Sequence, residues 1–340
     1  MEQQRDFQLD FLRIAAVFAV VWLHVAAGPA QNPDWQSAEW WTGNVADALS
    51  RWCVPVFVMI SGALLLAPGA DADPIRFYRR RAARLLVPLV FWTAFYLALR
   101  FYIDPRFTAE AAVSSVIAGT PYYHLWFLYM IVGLYAVTPF LRQIVAASPP
   151  WLLALFVAGC FVLSASESLR LHLAGGEAAW IFLPSFLPYI GYFVCGYALH
   201  ARHLKGPRLL LLAVAVAAAA AIALTTSALR PAIGARAWGL MHGYQGPLTI
   251  LMALAVFLLG SNLRLESPLL RALIARLAPL TFGIFLVHLA WFHFLVRTRL
   301  GALMKEPLIG IPVLTAAVFG VSAVTVALMA AVPYLRATVR

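Results

Sequence analysis

Apolar runs interrupted by short polar turns set the pattern of this chain. A helix needs about 20 mostly apolar residues to cross a bilayer core, within a range of about 17–25. Ten runs meet that length, at about 9–28, 49–67, 85–103, 123–142, 150–169, 180–199, 208–229, 243–261, 277–296 and 308–330. Residues 210–224, LLLAVAVAAAAAIAL, are the plainest of them. The run at 180–199 is interrupted by Pro184, Pro188, Gly191 and Gly196. Such breaks are tolerated where neighbouring helices or water satisfy the freed carbonyls. The widest gap, at about 29–48, leaves no room for a soluble domain, so the expected architecture is a single all-α polytopic membrane domain over residues 1–340 with about ten transmembrane helices.

Composition strengthens that expectation. Apolar residues make up 63% and charged residues 11% of the 340, with a mean hydropathy of +0.84. A soluble chain has roughly 45–50% and about 25%. With so few charges the surface must face lipid, which excludes a soluble enzyme, a disordered chain and a disulfide scaffold. Cys53, Cys160 and Cys195 all sit in apolar runs without metal spacing and read as small hydrophobes, so neither a disulfide nor a metal site is expected.

The formal charge of +11 does not call for a nucleic-acid partner, because positive excess in membrane proteins collects in cytoplasmic loops. Setting aside Arg13, the other 24 of the 25 basic residues divide between alternate loops as 15 and 9. The richer set includes Arg5, Arg76, Arg79, Arg80, Arg81, Arg84 and Arg142, and the poorer side holds eight of the fourteen acids. An even number of spans then predicts both termini on the cytoplasmic side (N-in, C-in), with the 29–48 and 104–122 loops outside. The first span reads as a retained helix rather than a cleaved signal: Arg5 is outnumbered by Glu2, Asp6 and Asp10, and Arg13 enters the apolar stretch.

Ionisable groups within spans are costly and are candidates for function. Arg13 and His24 stand eleven residues apart in the first run. At 100° per residue they share a face to within about 20°, and at 1.5 Å per residue they are roughly 16 Å apart along the axis. The pair is either a snorkelling arginine with a packing histidine, or a guanidinium near one end of a site whose imidazole lies deeper. Arg80, Arg81 and Arg84 belong to a basic turn that either fixes topology or clamps an anion; Arg81 and Arg84 share a face near a helix N-terminus whose dipole favours phosphate. The segment Tyr122-Tyr123-His124-Leu125-Trp126 is either an interfacial aromatic belt or a stacking platform for a sugar acceptor. His288 lies inside the ninth run, 140° around the helix from His293, which does not make a two-histidine metal face. His172, His200, His203 and His242 read as loop or interfacial residues. Ser61, in Ile60-Ser61-Gly62-Ala63, is a small packing residue or a pocket-lining hydroxyl. There is no Walker loop, Rossmann glycine fingerprint, HExxH or GxSxG.

Together these segments resemble the polytopic membrane acyltransferase-3 family, and within it the surface-polysaccharide O-acyltransferase group that includes the enterobacterial-common-antigen O-acetyltransferase. The likeness rests on Leu9-Asp10-Phe-Leu-Arg13 followed by His24; on Pro55-Val-Phe-Val-Met-Ile-Ser61-Gly62; and on Arg81-x-x-Arg84-Leu-Leu-Val-Pro88. It continues with His124-Leu-Trp126-Phe-Leu leading to Thr138-Pro139-Phe-Leu-Arg142, and with Gly283-Ile-Phe-Leu-Val-His288.

The resemblance implies acyl transfer across a bacterial inner membrane. Acyl-CoA, acetyl-CoA by default, would serve as cytoplasmic co-substrate, with no permanently bound cofactor, and an extracytoplasmic glycan or lipid-linked sugar would accept. Arg13, Arg81 and Arg84, with Arg80 alongside, would hold the CoA phosphates, and Asp10 would steady Arg13. The pantetheine arm would reach toward His24, a general base on the acceptor hydroxyl or a transient acyl carrier; the base is preferred because no second group is visible to activate a histidine nucleophile. Ser61, Tyr123, His124, Trp126 and His288 would line the acceptor pocket. The competing expectation is an exporter of a lipid-linked sugar or polysaccharide with a midplane site between broken helices. Membrane lipids are the remaining expected partner, and nothing in the sequence bears on oligomeric state.

Overall fold

A computed structural model of the chain describes residues 5–67, 73–173 and 183–340. Among these residues the fold is helical without strands, and nine helical stretches are long and apolar enough to cross a membrane. The protein is an all-α multi-pass membrane protein.

α1 (Phe7–Ala30) starts where the Asp6 carboxylate accepts the Leu9 amide at 2.9 Å. The turn that follows is short. Ser37 caps α2 (Ala38–Ala48), which leads through a four-residue break into α3 (Cys53–Leu65), so the stretch expected as a twenty-residue loop is mostly helix. Its polar residues misled the pattern reading. Asn44, Asp47 and Ser50 are all buried, with partners inside the protein instead of in solvent.

α4 (Pro74–Ile103) has Asp73 as cap and Pro74 in its first turn, where a missing N–H costs nothing. This helix begins well before the expected 85, which places Arg81 and Arg84 two or more turns inside it. The helix dipole acts within the first turn, so it does not reinforce these arginines as the sequence suggested. A short amphipathic helix α5 (Ala109–Ile117) precedes α6 (Trp126–Ala147) and α7 (Pro150–Leu173).

The expected sixth span falls partly outside the described residues. From 183 onward it is a 3-10 turn at Leu183–Tyr189 followed by the twelve-residue α8 (Ile190–Ala201). Pro188 inside the turn lacks the amide a regular helix would use there. The remaining elements are α9 (Arg208–Ile233), α10 (Arg236–His242), α11 (Pro247–Ser261), α12 (Pro268–Leu277), α13 (Thr281–Leu295), α14 (Pro307–Ala331) and α15 (Pro333–Val339).

Burial separates the central helices from the rim. The most apolar window is 50% buried in α1, 67% in α2–α3 and 56% in α12–α13, against 22% in α4 and 17% in α7. Val90, Leu163, Leu209 and Leu308 stay exposed on rim helices, as lipid-facing positions should. α1 packs against α2, α3, α11, α13 and α14 and is a central helix of the bundle. α3 and α8 cross at backbone contact. A methyl at Gly62 would land on the Phe193 carbonyl, and one at Gly196 on the Met59 carbonyl. Small residues permit that approach where helices pack without a hydrophobic drive from water.

Candidate functional site

Arg13 and His24 lie on the uninterrupted α1, so the roughly 16 Å separation along its axis holds. They divide the site into an arginine side and a histidine side.

On the arginine side, Arg13 Nη1 donates to Asp10 Oδ1 at 3.2 Å, and Asp10 also accepts from Arg5 Nε at 2.6 Å. The organising residue here is Tyr135 of α6, which the sequence reading passed over. Its ring packs edge-on against Phe77 at 6.5 Å and lies under the Arg81 guanidinium. The Arg81 guanidinium carbon is 5.8 Å from the Tyr135 ring centre and 5.7 Å from that of Phe77, and its buried Nε has no hydrogen-bond partner among the described residues. Arg84 and Arg80 are exposed. Arg142, from α6, donates through Nε to the Leu65 carbonyl at 2.7 Å and lies 4.6 Å over Phe77. Ser61 donates to the Phe57 carbonyl at 2.9 Å.

On the histidine side, His24 is half-buried on α1. It makes no hydrogen bond to the described residues. Its ring meets Tyr123 edge-on at 5.3 Å and stacks on His288 at 5.3 Å with 28° between planes. His288 is fully buried. Its Nδ1–H donates to the Phe285 carbonyl at 2.7 Å, which fixes the tautomer and leaves Nε2 as an acceptor without a partner among the described residues. His124 packs 5.4 Å from His288 and 4.9 Å from Tyr96. It lies near the Leu286 carbonyl, to which Tyr96 Oη already donates at 2.7 Å, and neither of its ring nitrogens reaches hydrogen-bond geometry. Leaving such groups buried and unpaired costs about 1–3 kcal/mol each.

Tyr122 and His293 close the outer wall. The Tyr122 hydroxyl is hydrogen-bonded to His293 Nε2. Burial pushes the Tyr122 phenol up to about 12. Tyr123 is likewise pushed up by burial. Trp126 lies 5.9 Å from Tyr189 and 5.8 Å from Tyr244, forming an aromatic wall.

A further polar group joins this side from residues that the sequence placed in loops. Arg51 donates to Asp47 twice, through Nε at 2.5 Å and Nη2 at 2.7 Å. His242 Nδ1 bonds Asp47 Oδ1 at 2.6 Å, and its Nε2 bonds Asn44 Oδ1 at 3.0 Å. Asn44 Nδ2 donates to the Ala223 carbonyl at 3.0 Å, and Trp238 stacks on His242 at 3.8 Å. Asn44, Asp47 and His242 are each at most 1% exposed. Arg51 also lies 5.5 Å from the Tyr244 ring centre, which brings the group to the Trp126 wall. His242 is thus a buried network residue and not the interfacial one expected. Among the described residues no cluster of His, Cys, Asp and Glu has metal-binding geometry, and the three cysteines are free.

The bundle thus carries on one helix an imidazole without a hydrogen bond to the described residues and, roughly 16 Å away along the axis, an arginine paired with Asp10. A family model described as an acyltransferase domain matches residues 6–332. The chain belongs to the acyltransferase-3 family of membrane acyltransferases. No curated protein and no solved structure gives a significant match.

Proposed function

We propose that the protein is a transmembrane O-acyltransferase that moves an acyl group, acetyl in the first instance, from acyl-CoA at the arginine side to a sugar hydroxyl at the histidine side. The observation that supports this reading best is the division of one helix face between Arg13, which pairs with Asp10, and His24, which meets Tyr123 and His288.

The chemistry follows from that division. Arg13, Arg81 and Arg84 pair with the CoA phosphates through charge-assisted hydrogen bonds, and Tyr135 with Ser61 holds the same region polar. The pantetheine arm covers the roughly 16 Å between the two sides. His24 takes the proton from the acceptor hydroxyl as its oxygen attacks the thioester carbon. The new C–O bond forms, the C–S bond breaks, and the proton passes from His24 to the departing sulfur, giving an ester and free CoA. His24 is a base in this scheme and not an acyl carrier. His288 stacks on it without sharing a hydrogen bond, so it does not activate His24 as a nucleophile. Tyr123, His124, Trp126 and His288 line the acceptor side.

We further assign the protein to the surface-polysaccharide O-acetyltransferase group of a bacterial inner membrane, with both termini cytoplasmic and a glycan or lipid-linked sugar as acceptor. Purified protein given radiolabelled acetyl-CoA tests the whole reading. Label transfer or CoA release should occur in wild type and vanish in His24→Ala; turnover that is unchanged by the substitution overturns the assignment of the base.

A further inference from the structure

The start of α1 opens on a cavity that lies outside the two sides described above. It measures about 410 Å³ and is lined by Arg5, Asp6, Phe7 and Gln8 with Leu265 and Arg271. That volume falls within the roughly 300–1,000 Å³ of pockets that hold small molecules. Its walls are tied together. Arg5 Nη2 donates to the Ala275 carbonyl of α12 at 3.2 Å, and Gln8 Nε2 donates to the Leu263 carbonyl at 3.3 Å. The Arg271 and Arg5 guanidinium carbons lie 5.4 Å and 5.8 Å from the centre of the Phe7 ring. Arg271 engages only its Nε, on the Leu265 carbonyl at 2.6 Å. Both its Nη atoms, and Nη1 of Arg5, are without a hydrogen bond among the described residues. Asp6, the acid in the wall, is already engaged: Oδ1 accepts the Leu9 amide at 2.9 Å, and Oδ2 lies 3.4 Å from His200 Nε2. The cavity therefore carries more cationic donors than its own carboxylate answers.

We propose that this cavity holds the 3′-phosphoadenosine end of acyl-CoA, with the 3′-phosphate on the Nη edge of Arg271 and on Arg5. Two guanidiniums match a phosphomonoester, which brings nearly two negative charges and three acceptor oxygens. Phe7 and Leu265 offer apolar surface to the ribose and base. One carboxylate joins the cavity to the arginine side: Asp10 accepts from Arg5 Nε at 2.6 Å and from Arg13 Nη1 at 3.2 Å. Phosphates of a single CoA molecule can thus lie on Arg5 and on Arg13, which leaves the pyrophosphate to Arg13, Arg81 and Arg84. The subsite deepens the acyl-CoA reading and rests on it. A lipid headgroup presents the same phosphate chemistry at this end of α1, and the test separates the two.

Calorimetric titration of the full chain in phosphatidylcholine nanodiscs tests it, with acetyl-CoA and its 3′-dephospho analogue as the two probes. Wild type should bind acetyl-CoA at least about tenfold more tightly than the analogue, as the loss of charged hydrogen bonds requires. Arg271→Gln should abolish that preference while it changes the affinity for the analogue by less than about twofold. Arg81→Ala should weaken both probes alike and keep the preference. Photolabelling of wild type with 8-azido acetyl-CoA should mark residues 5–8 or 263–271. Equal affinities in wild type, a preference that survives Arg271→Gln, or label found only elsewhere overturns the proposal. Equal affinities together with phosphatidylglycerol that co-purifies with wild type and not with Arg271→Gln assign the cavity to a lipid headgroup instead. If Arg271→Gln loses its fold, seen as lost binding of both probes, the wild-type preference and the label decide. Wild type that binds neither probe overturns the acyl-CoA reading and the subsite with it, whereas equal binding of both overturns the subsite alone.

Discussion

The two sides of this site handle positive charge in opposite ways. On the arginine side, Arg13 shares Asp10 with Arg5, Arg81 has a buried Nε without a partner and lies over aromatic rings, and Arg84 is exposed. That side holds a surplus of cationic donors around Tyr135. On the histidine side the one central arginine, Arg51, is closed bidentately on a buried carboxylate, and the other polar groups are imidazoles and phenols. Surplus charge suits a polyanion such as the CoA phosphates. A closed ion pair among aromatic rings suits hydroxyls. The same helix, α1, serves both ends, so the contrast comes from what α3, α4 and α6 bring to one half and α2, α10 and α13 to the other.

The largest expected effect breaks the contrast at its catalytic end. His24→Ala should lower kcat by about 10²–10⁴-fold, the usual range for loss of a general base, and steady-state kinetics should find the KM for acetyl-CoA little changed. Arg81→Ala should act on the other parameter. Loss of a charged hydrogen bond costs about 1.5–3 kcal/mol, so the KM for acetyl-CoA should rise about 10- to 100-fold with a smaller change in kcat. Arg84→Ala should raise that KM less, since the residue is exposed. An unchanged KM in both variants would leave the basic turn with a topological role only.

Gly62→Ala serves as a structural contrast to both. Its methyl would meet the Phe193 backbone where α3 crosses α8, and such overpacking costs about 1–3 kcal/mol. Thermal unfolding in detergent should show a lowered Tm with neither KM selectively altered; a selective rise in one KM would mean that the crossing shapes a substrate site. The smallest effect is ionic. Raising salt from low to physiological levels should weaken acetyl-CoA binding severalfold and leave acceptor binding nearly constant, because screening acts more strongly on the exposed charges of the arginine side than on the buried pair.

Some of this site could be read along a single helix, and that part was legible. Arg13, His24 and Asp10 share α1, so their register needs only the 3.6-residue period. The break at Pro184 and Pro188 is likewise local. The residues that escaped detection close across the chain. Tyr135 looks like any aromatic in an apolar run until Arg81 and Phe77 of α4 are seen packed on its ring. His242 and Asp47 are 195 positions apart, and each alone reads as a polar residue at a membrane surface. Asn44, Asp47 and Arg51 also disguised the start of their own span, because a polar residue satisfied inside the protein cannot be told from one satisfied by water by composition alone. The dipole expected to aid Arg81 and Arg84 failed for a related reason: the polar stretch before them is helix, not loop.

The account depends most on the claim that donor binding and proton transfer are separate tasks on one face of α1. Calorimetric titration of acetyl-CoA into wild type, His24→Ala and Arg81→Ala, with no acceptor present, measures that separation without chemistry. His24→Ala should bind within about twofold of wild type, and Arg81→Ala should bind at least about tenfold more weakly, the change that a loss of 1.4 kcal/mol produces. Equal weakening in both variants, or normal binding by Arg81→Ala, would contradict it.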